Sequence, residues 1–302
     1  MRLVVTGASG FVGRHVVETA ASQGVDVVGI VRSEKGVERV AVAGGRPARI
    51  AGFEDPAFAA AFTGADAVVH LAQIGAERSG VTYTDTNVVG TRRVIAAAYR
   101  ARIRRVVHFS GLGVARYGQA PRCTNPYFLS KLLAEAALFE SGLDVAVFRP
   151  SYIVGPGDSF VPGVVRDMAR GEVEVVGDGS ARSQPVSVRD AAACVLAAAG
   201  GARVQHRVFD LVGPEPVSLR VLVERTGRIA REQGKAGAFG LREVPVADAD
   251  RLARTGGYRG MLPDELDCLL CDEVSDHGPL EALLGRRLTP LDDALAFAVG
   301  CA

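Results

Sequence analysis

Two side chains four residues apart, Tyr127 and Lys131 in "NPYFLSK", are the pair best able to do chemistry in this chain. Residues four apart share a helix face, so a phenol and an ammonium can converge on one bound molecule. Tyr127 can exchange a proton with a carbonyl or an alcohol, while Lys131 can stabilise the phenolate and hydrogen-bond a ribose hydroxyl. A second signal lies at the start, in "VVTGASGFVG", where Gly7, Gly10 and Gly13 follow the first apolar run at a spacing of three. That order reads as strand, tight turn and helix, with Phe11 and Val12 beginning the helical apolar pattern. The first glycine allows the turn, the second admits phosphate close to the backbone, and the third lets helix pack on strand. A helix N-terminus there offers free N–H groups and the positive end of its dipole to a pyrophosphate. Each motif recurs by chance in unrelated chains, so their context has to decide.

The elements that must position these residues follow from hydrophobic patterning. Short apolar runs at 2–6, 25–31, 46–50, 66–71, 105–110 and 144–149 alternate with Ala-rich helical stretches such as "RHVVETAASQG" and "GTRRVIAAAYRARI". Parallel strands covered on both faces by helices are written this way. The expected fold is α/β, a doubly wound Rossmann-type parallel sheet, with ligands at the carboxyl ends of its strands. Beyond Arg149 the chain turns rich in Gly, Pro and Ser, as loops around a cleft would be. "RVFDLVG" (207–213) returns one more strand to the sheet. The reading is a dinucleotide-binding domain from 1–150 plus about 186–213, and a smaller discontinuous substrate domain from about 151–185 plus 214–302.

The second strand ends at "VGIVRSEKG", where a dinucleotide site meets the adenosine ribose. Arg32 and Ser33 stand there with no carboxylate before Glu34. A guanidinium suits a ribose 2′-phosphate and an acidic group a free 2′-hydroxyl, which favours NADP(H) over NAD(H).

Composition narrows the partners. In 302 residues, 35 Lys and Arg balance 34 Asp and Glu, and the one short basic run, "RIRR" (102–105), reads as a helix end before a strand. A nucleic acid or an anionic membrane surface is not the expected partner; a small ligand is. The longest apolar stretch, 191–202, is too short to span a bilayer, and the interrupted N-terminus is no secretory signal, so the expected location is cytoplasmic. Five cysteines at irregular positions fit reduced thiols. Cys268 and Cys271, followed by His277, form a CxxC without a second ligand pair; "LDCLLCDEV" reads as an amphipathic helix, and no metal site is expected. The Ala, Gly, Arg and Val content suggests a GC-rich coding sequence and a substrate from secondary metabolism, beneath an apolar lid formed by the late segment.

Six motifs in order, "TGASGFVG", "DAVVHLA", "NVVGT", "YFLSK", "RPSYIVGPGD" and "QPVSVRDAA", make the whole chain resemble the extended and atypical short-chain dehydrogenase/reductases. "NPYFLSK", "SGLDVAVFRPSYIVGPGDSF" and the late "LLCDEVSD" and "LTPLDDAL" are most similar to the branch containing the NADPH-binding accessory subunit of respiratory complex I. The resemblance implies Gly7, Gly10, Phe11, Val12 and Gly13 at the pyrophosphate and Leu71 and Ala72 along the riboses. It further implies Asn87 as a buttress, and Ser110, Pro150, Ser151 and Ile153 along the nicotinamide. Tyr127 becomes the acid/base and Lys131 its support. Asp190 reads as a helix cap. Two positions depart from the family. The catalytic hydroxyl two residues past the fifth strand falls on Leu112, leaving Ser110, Thr124, Tyr152 or Gln73 to substitute. Gly52 replaces the Asp that would hold the adenine amino group, leaving that contact to the Phe53 backbone. The expected activity is an NADP(H)-dependent reductase or dehydrogenase acting on a carbonyl, alcohol or enone of a small hydrophobic substrate. A redox-neutral epimerase, dehydratase or isomerase is the alternative, for which only Arg182 suggests a sugar-nucleotide clamp. A non-catalytic NADPH-binding scaffold or sensor is the third reading, favoured by Leu112.

Overall fold

The computed structural model describes residues 1–201 and 207–301; Ala202, the last residue of the 191–202 apolar run, lies outside them. A seven-stranded parallel sheet is built from β1 (Arg2–Thr6), β2 (Asp26–Val31), β3 (Arg46–Arg49), β4 (Ala67–His70), β5 (Arg105–Phe109), β6 (Asp144–Pro150) and β11 (Arg207–Leu211). Its order is β3-β2-β1-β4-β5-β6-β11, every pairing parallel. The expected strands lie within two residues of these bounds. Winding reverses between β1 and β4, the kind of point at which such sheets take ligands at their strands' carboxyl ends.

Helices cover both faces. Leu3, Val5, Val69, Val107 and Phe148 face α1 (Phe11–Ser22) and α7 (Val188–Ala199), while Val4, Val68, Val106, Val145 and Val147 face the side of α3 (Pro56–Ala60), α4 (Gly90–Arg100) and α5 (Pro126–Glu140). Burial on both faces is why the central strands read as unbroken apolar runs. β3 is one edge and carries Pro47, which an edge strand tolerates. Between β2 and β3 runs α2 (Glu34–Val42), capped by the Ser33 hydroxyl accepting from the Gly36 N–H at 3.1 Å.

A second lobe has its own core. It holds α6 (Phe160–Met168), α8 (Leu219–Glu232) and α12 (Leu291–Gly300) around Met168, Leu222 and Leu295, beside the parallel pair β8 (Glu172–Val176) and β13 (Gly240–Val244). Short pairs join the lobes: β7 (Ile153–Val154) with β10 (Val186–Ser187), and β9 (Arg182–Ser183) with β12 (Val217–Ser218). A smaller cluster gathers α9 (Val246–Thr255) and α10 (Pro263–Leu270) around Leu266. The last stretch is not confined to this lobe. Leu280 of α11 (Gly278–Leu284) and the following Leu288 bury in the core of the large sheet.

Asp190 helps hold that return, and its reading as a cap is corrected. The cap of α7 is Ser187, whose hydroxyl accepts from the Arg189 N–H. Asp190 is fully buried, accepts from the Thr289 N–H at 2.7 Å and pairs with Arg286 at 2.7 Å, so it fastens the chain before α12 to α7. Among the described residues no helix is long and apolar enough to cross a membrane.

Candidate active site

The glycine turn closes against β4. Gly7 has φ +71°, and a Cβ there would stand 2.8 Å from the Ala72 nitrogen and the Leu71 carbonyl carbon. A Cβ on Gly13 would sit 2.1 Å from the Gly7 oxygen, whereas one on Gly10 would be 3.2 Å from it. These are the close approaches expected of a turn that lays helix and strand together. Helix α1 starts at Phe11 with Gly10 as its cap residue and no side-chain cap, leaving its first N–H groups to a ligand. Phe11 packs edge-on to His15 at 5.8 Å between ring centres, and Val12 leans on the sheet core. The backbone at Gly7–Gly13 and the ends of β1 and β4 thus fit a pyrophosphate.

Arg32 is exposed just past β2. The nearest carboxylate in sequence, Glu34, is held by Arg49 at 2.6 Å, and Arg39 reaches back to the Ser9 carbonyl at 3.4 Å. The Ser33 hydroxyl is occupied as an acceptor by its cap and keeps its proton free to donate. At the next strand end a Cβ on Gly52 would meet open space, and the Phe53 ring turns away to pack on Gly90 and Phe58.

Helix α5 delivers Tyr127 and Lys131. Pro126 opens it, and the Asn125 side chain caps it by accepting from the Phe128 N–H at 3.0 Å. Lys131 is fully buried, donates to the Phe109 carbonyl at 3.2 Å, and lies 5.5 Å from the centre of the Tyr127 ring. Burial lowers it to about 7, against a raising influence from Glu135. One turn on, Glu135 is itself buried and gripped by Arg149 through two contacts of 2.9 and 2.5 Å. Burial drives the Tyr127 phenol well above its ordinary range, so it holds its proton at neutral pH.

A buried polar chain ties this helix to the glycine turn. The Thr91 hydroxyl donates to the Asn87 carbonyl at 2.6 Å, so its oxygen accepts from His70 Nε2 at 3.0 Å. His70 Nδ1 then accepts from the Thr6 hydroxyl at 2.7 Å, and Thr6 in turn accepts from the Ala72 N–H. Hydrogen-bond direction therefore assigns the neutral Nε2–H tautomer. Burial and the Lys131 charge push His70 down to about 3, which agrees. Asn87 accepts from the Ile74 N–H and donates to the Ile74 carbonyl and the Ser130 hydroxyl, which donates to the Tyr127 carbonyl. It buttresses the turn after β4 against α5. His70 and His108 were not singled out as site residues, although "DAVVHLA" contains the first; their rings stack at 5.1 Å.

A cavity of about 580 Å³ lies between the lobes. Ser110, Gly111, Tyr127, Pro150 and Ser151 form its sheet-side wall, and Val164, Leu219, Leu222 and Val223 face them from the second lobe. Ile153 is not on this wall; it packs on the sheet core beneath, paired with Val186. The expected apolar lid is only partly apolar: Met261 and Leu269 contribute to it, and so do Arg259, Glu265 and Glu273. Cys268 also faces the cavity, and Cys271 Sγ lies 2.6 Å from Cys123 Sγ; all five cysteines are free. His277 stands just before α11 as its cap residue, away from the cavity wall.

Leu112 is buried at the start of a 3-10 turn, Leu112–Arg116. Of the residues expected to replace its hydroxyl, Thr124 is exposed and outside the wall. Tyr152 reaches the cavity but spends its proton on Asp158 at 2.8 Å. Gln73 reaches the wall, and Ser110 does so with a buried Oγ that has no hydrogen-bond partner. That orphan hydroxyl, the unused donors of Lys131 and the glycine cradle fit a nicotinamide dinucleotide lying along the strand ends. Arg182 is held by Asp272 through contacts of 2.8, 3.3 and 3.1 Å.

Comparison with known proteins agrees with this geometry. Residues 3–211 match the profile of the NAD dependent epimerase/dehydratase family. The chain is 28% identical over its whole length, and 92% of the relative's, to the 4-hydroxy-2-methyl-3-oxo-4-farnesyl-3,4-dihydroquinoline-1-oxide ketoreductase of Stigmatella aurantiaca. It is 30% identical to the 2-alkyl-3-oxoalkanoate reductase of Stenotrophomonas maltophilia (strain K279a) across 74% of each chain. A mitochondrial complex I subunit of Arabidopsis thaliana, alpha subcomplex subunit 9, is also a relative, 25% identical over 76% of this chain and 58% of its own. Among solved structures, UDP-glucuronic acid 4-epimerase from Bacillus cereus superposes with a TM-score of 0.80 at 17% identity, covering 100% of this chain and 98% of that one.

Proposed function

Because the chain belongs to the NAD dependent epimerase/dehydratase family, an enzyme family of the short-chain dehydrogenase/reductase type, we propose that it is an NADP(H)-dependent reductase of a ketone in a small, largely hydrophobic substrate. The observation that carries the reading is the Tyr127 phenol on the cavity wall, protonated at neutral pH, with Lys131 buried beneath it. A phenol so placed can hand a proton to a carbonyl oxygen on reduction and take one back from the alcohol on oxidation. The cofactor supplies the hydride. Gly7, Gly10, Phe11, Val12 and Gly13 hold its pyrophosphate, and Leu71, Ala72 and Lys131 meet its riboses. Ser110 and Pro150 meet the nicotinamide, with Ile153 supporting them from below. Arg32 and Ser33 receive the 2′-phosphate. With cofactor and ketone bound, Tyr127 would give its proton to the substrate oxygen.

Both bacterial relatives are reductases of oxo compounds by name, which supports ketone reduction. Asp272 neutralises Arg182, whose sequence context suggested a sugar-nucleotide clamp, which weighs against a sugar nucleotide. The domain carrying the large sheet takes the cofactor and the second lobe most of the substrate. Free thiols suit a reducing, cytoplasmic setting.

The test is to titrate the protein with NADPH by nicotinamide fluorescence, then follow its decay with a panel of 3-oxo esters, cyclic ketones and enones. Tyr127→Phe should keep NADPH binding and lose roughly 10²–10⁴-fold in turnover. Full turnover by that variant would remove Tyr127 from the role, and binding without decay on any ketone would overturn the reductase reading.

A further inference from the structure

The C-terminal chain crosses the active site just past α10. There the Glu273 N–H donates to the Arg182 carbonyl at 2.8 Å, and the Glu273 carbonyl accepts from the Ser151 hydroxyl at 3.2 Å. Two residues later, Ser275 donates from its N–H to the Gln184 side chain at 3.0 Å and from its hydroxyl to Asp210 at 2.6 Å. Held at both ends, the segment carries the Glu273 side chain into the cavity wall that also holds Tyr127 and Ser110. The Gly113 N–H lies against the carboxyl, while the Ser151 proton is taken by the Glu273 carbonyl. Gly113 follows Leu112 directly, so the carboxyl is seated beside the position where the expected hydroxyl is missing.

Resting on the reductase reading above, we propose that Glu273 is a catalytic residue whose neutral carboxyl hydrogen-bonds the substrate carbonyl oxygen in place of the hydroxyl that Leu112 lacks. Leucine offers no donor, and Ser110 lies two residues earlier, about 6 Å back along an extended chain. A carboxylic acid can fill the gap only while it keeps its proton. Burial holds Glu273 at about 8 despite the lowering influence of Ser151 and Gly113. The groups facing it favour the same state. Tyr127 on α5, Cys268 on α10 and Cys271 just after it are neutral with their protons held by burial; on the same wall Glu265 is paired with Arg78, and Arg259 with Asp167 and Glu174. Arg182 is held by Asp272, and Arg116 donates to the Asp272 carbonyl. As hydride forms the new C–H bond, the carbonyl electron pair takes the Tyr127 proton. Glu273 keeps its own and stabilises the growing charge.

Two readouts test this on the full-length protein. With glutamate ¹³C-labelled at the carboxyl, one resonance absent from Glu273→Gln should titrate with a midpoint near 8. A midpoint in the ordinary carboxylate range would overturn the proposal and leave the reductase reading intact. With NADPH and ethyl acetoacetate, or the best ketone of the panel, Glu273→Leu should lose on the order of 100-fold in kcat with NADPH affinity unchanged. Glu273→Gln, which keeps a donor of the same size, should stay within about fivefold of wild type at neutral pH. Wild-type rates in Glu273→Leu would overturn it. Failure of the wild type on every ketone would instead overturn the reading beneath it.

Discussion

Lys131 Nζ donates to the Phe109 carbonyl at 3.2 Å while lying 5.5 Å from the centre of the Tyr127 ring, so one buried ammonium joins the end of β5 to the phenol of α5. Among the described residues it has one hydrogen-bond acceptor and no ion pair of its own, and burial lowers it from an ordinary 10.5 to about 7. Between those pH values the unfolded chain binds a proton that the folded one does not. The Lys131 contribution to stability therefore rises with pH across that window, by up to about 1.4 kcal/mol per unit, and is flat below it. Urea denaturation of Lys131→Met and wild type without cofactor should show the advantage of the variant shrinking from pH 7 to 9.5. A difference that stays constant would mean that Lys131 keeps its charge in the folded protein.

The glycine turn makes a graded expectation. A methyl on Gly13 would stand 2.1 Å from the Gly7 oxygen, and backbone on both sides leaves nothing soft to yield. Gly13→Ala should lower stability by about 1–3 kcal/mol and abolish NADPH binding by displacing the turn. Gly10→Ala meets the same oxygen at 3.2 Å, and its Cβ lies where phosphate would approach. That variant should fold with a stability close to wild type yet bind NADPH weakly. Equal behaviour of the two in melting and fluorescence titration would remove the distinction between a packing glycine and a phosphate-facing one.

The large sheet was legible in sequence because both of its faces are covered, which turns β1, β4, β5 and β6 into unbroken apolar runs. Tyr127 and Lys131 were legible because a helix converts a spacing of four into one face. Glu273 was not. It reaches the cavity through partners at Ser151 and Arg182, and in its own window "CDEVSD" looks like a solvated helix end. Asp190 misled for a related reason. An acid in a helix's first turn reads as a cap, and only the tertiary contacts to Thr289 and Arg286 reveal what it binds. Likewise the return of Leu280 and Leu288 to the main core breaks no local pattern, because an amphipathic helix does not state which core it joins.

The chain from Thr6 through His70 and Thr91 to Asn87 leaves no spare proton, so its directions are fixed. Long-range ¹H–¹⁵N spectra should show His70 as the Nε2–H tautomer without titration from pH 5 to 8, since its pKa lies near 3. Thr91→Val would strip the acceptor from Nε2–H and the donor from the Asn87 carbonyl, both buried, at a cost of about 1–3 kcal/mol. Thr91→Ser should restore most of it. An imidazolium signal at pH 6, or a valine variant as stable as wild type, would count against the relay.

On the NADP(H) reading proposed above, cofactor choice would turn on Arg32. Its guanidinium is exposed past β2, and the adjacent Glu34, the acid best placed to read a ribose hydroxyl, is engaged by Arg49 at 2.6 Å. Pairing with Arg49 removes most of the repulsion that Glu34 would exert on a 2′-phosphate. The surface past β2 then presents the exposed Arg32 and Lys35, with Arg39 reaching the Ser9 carbonyl. A charged hydrogen bond to phosphate is worth about 1.5–3 kcal/mol, which corresponds to roughly a 10–100-fold change in affinity. Arg32→Ala should lose that factor for NADPH and leave NADH unchanged, because NADH carries no phosphate for Arg32 to meet. Added salt should weaken NADPH binding more than NADH binding in wild type and narrow that gap in the variant. If both cofactors weaken together in the variant, Arg32 acts on the part they share, and the preference for NADPH must come from elsewhere along the edge of β2.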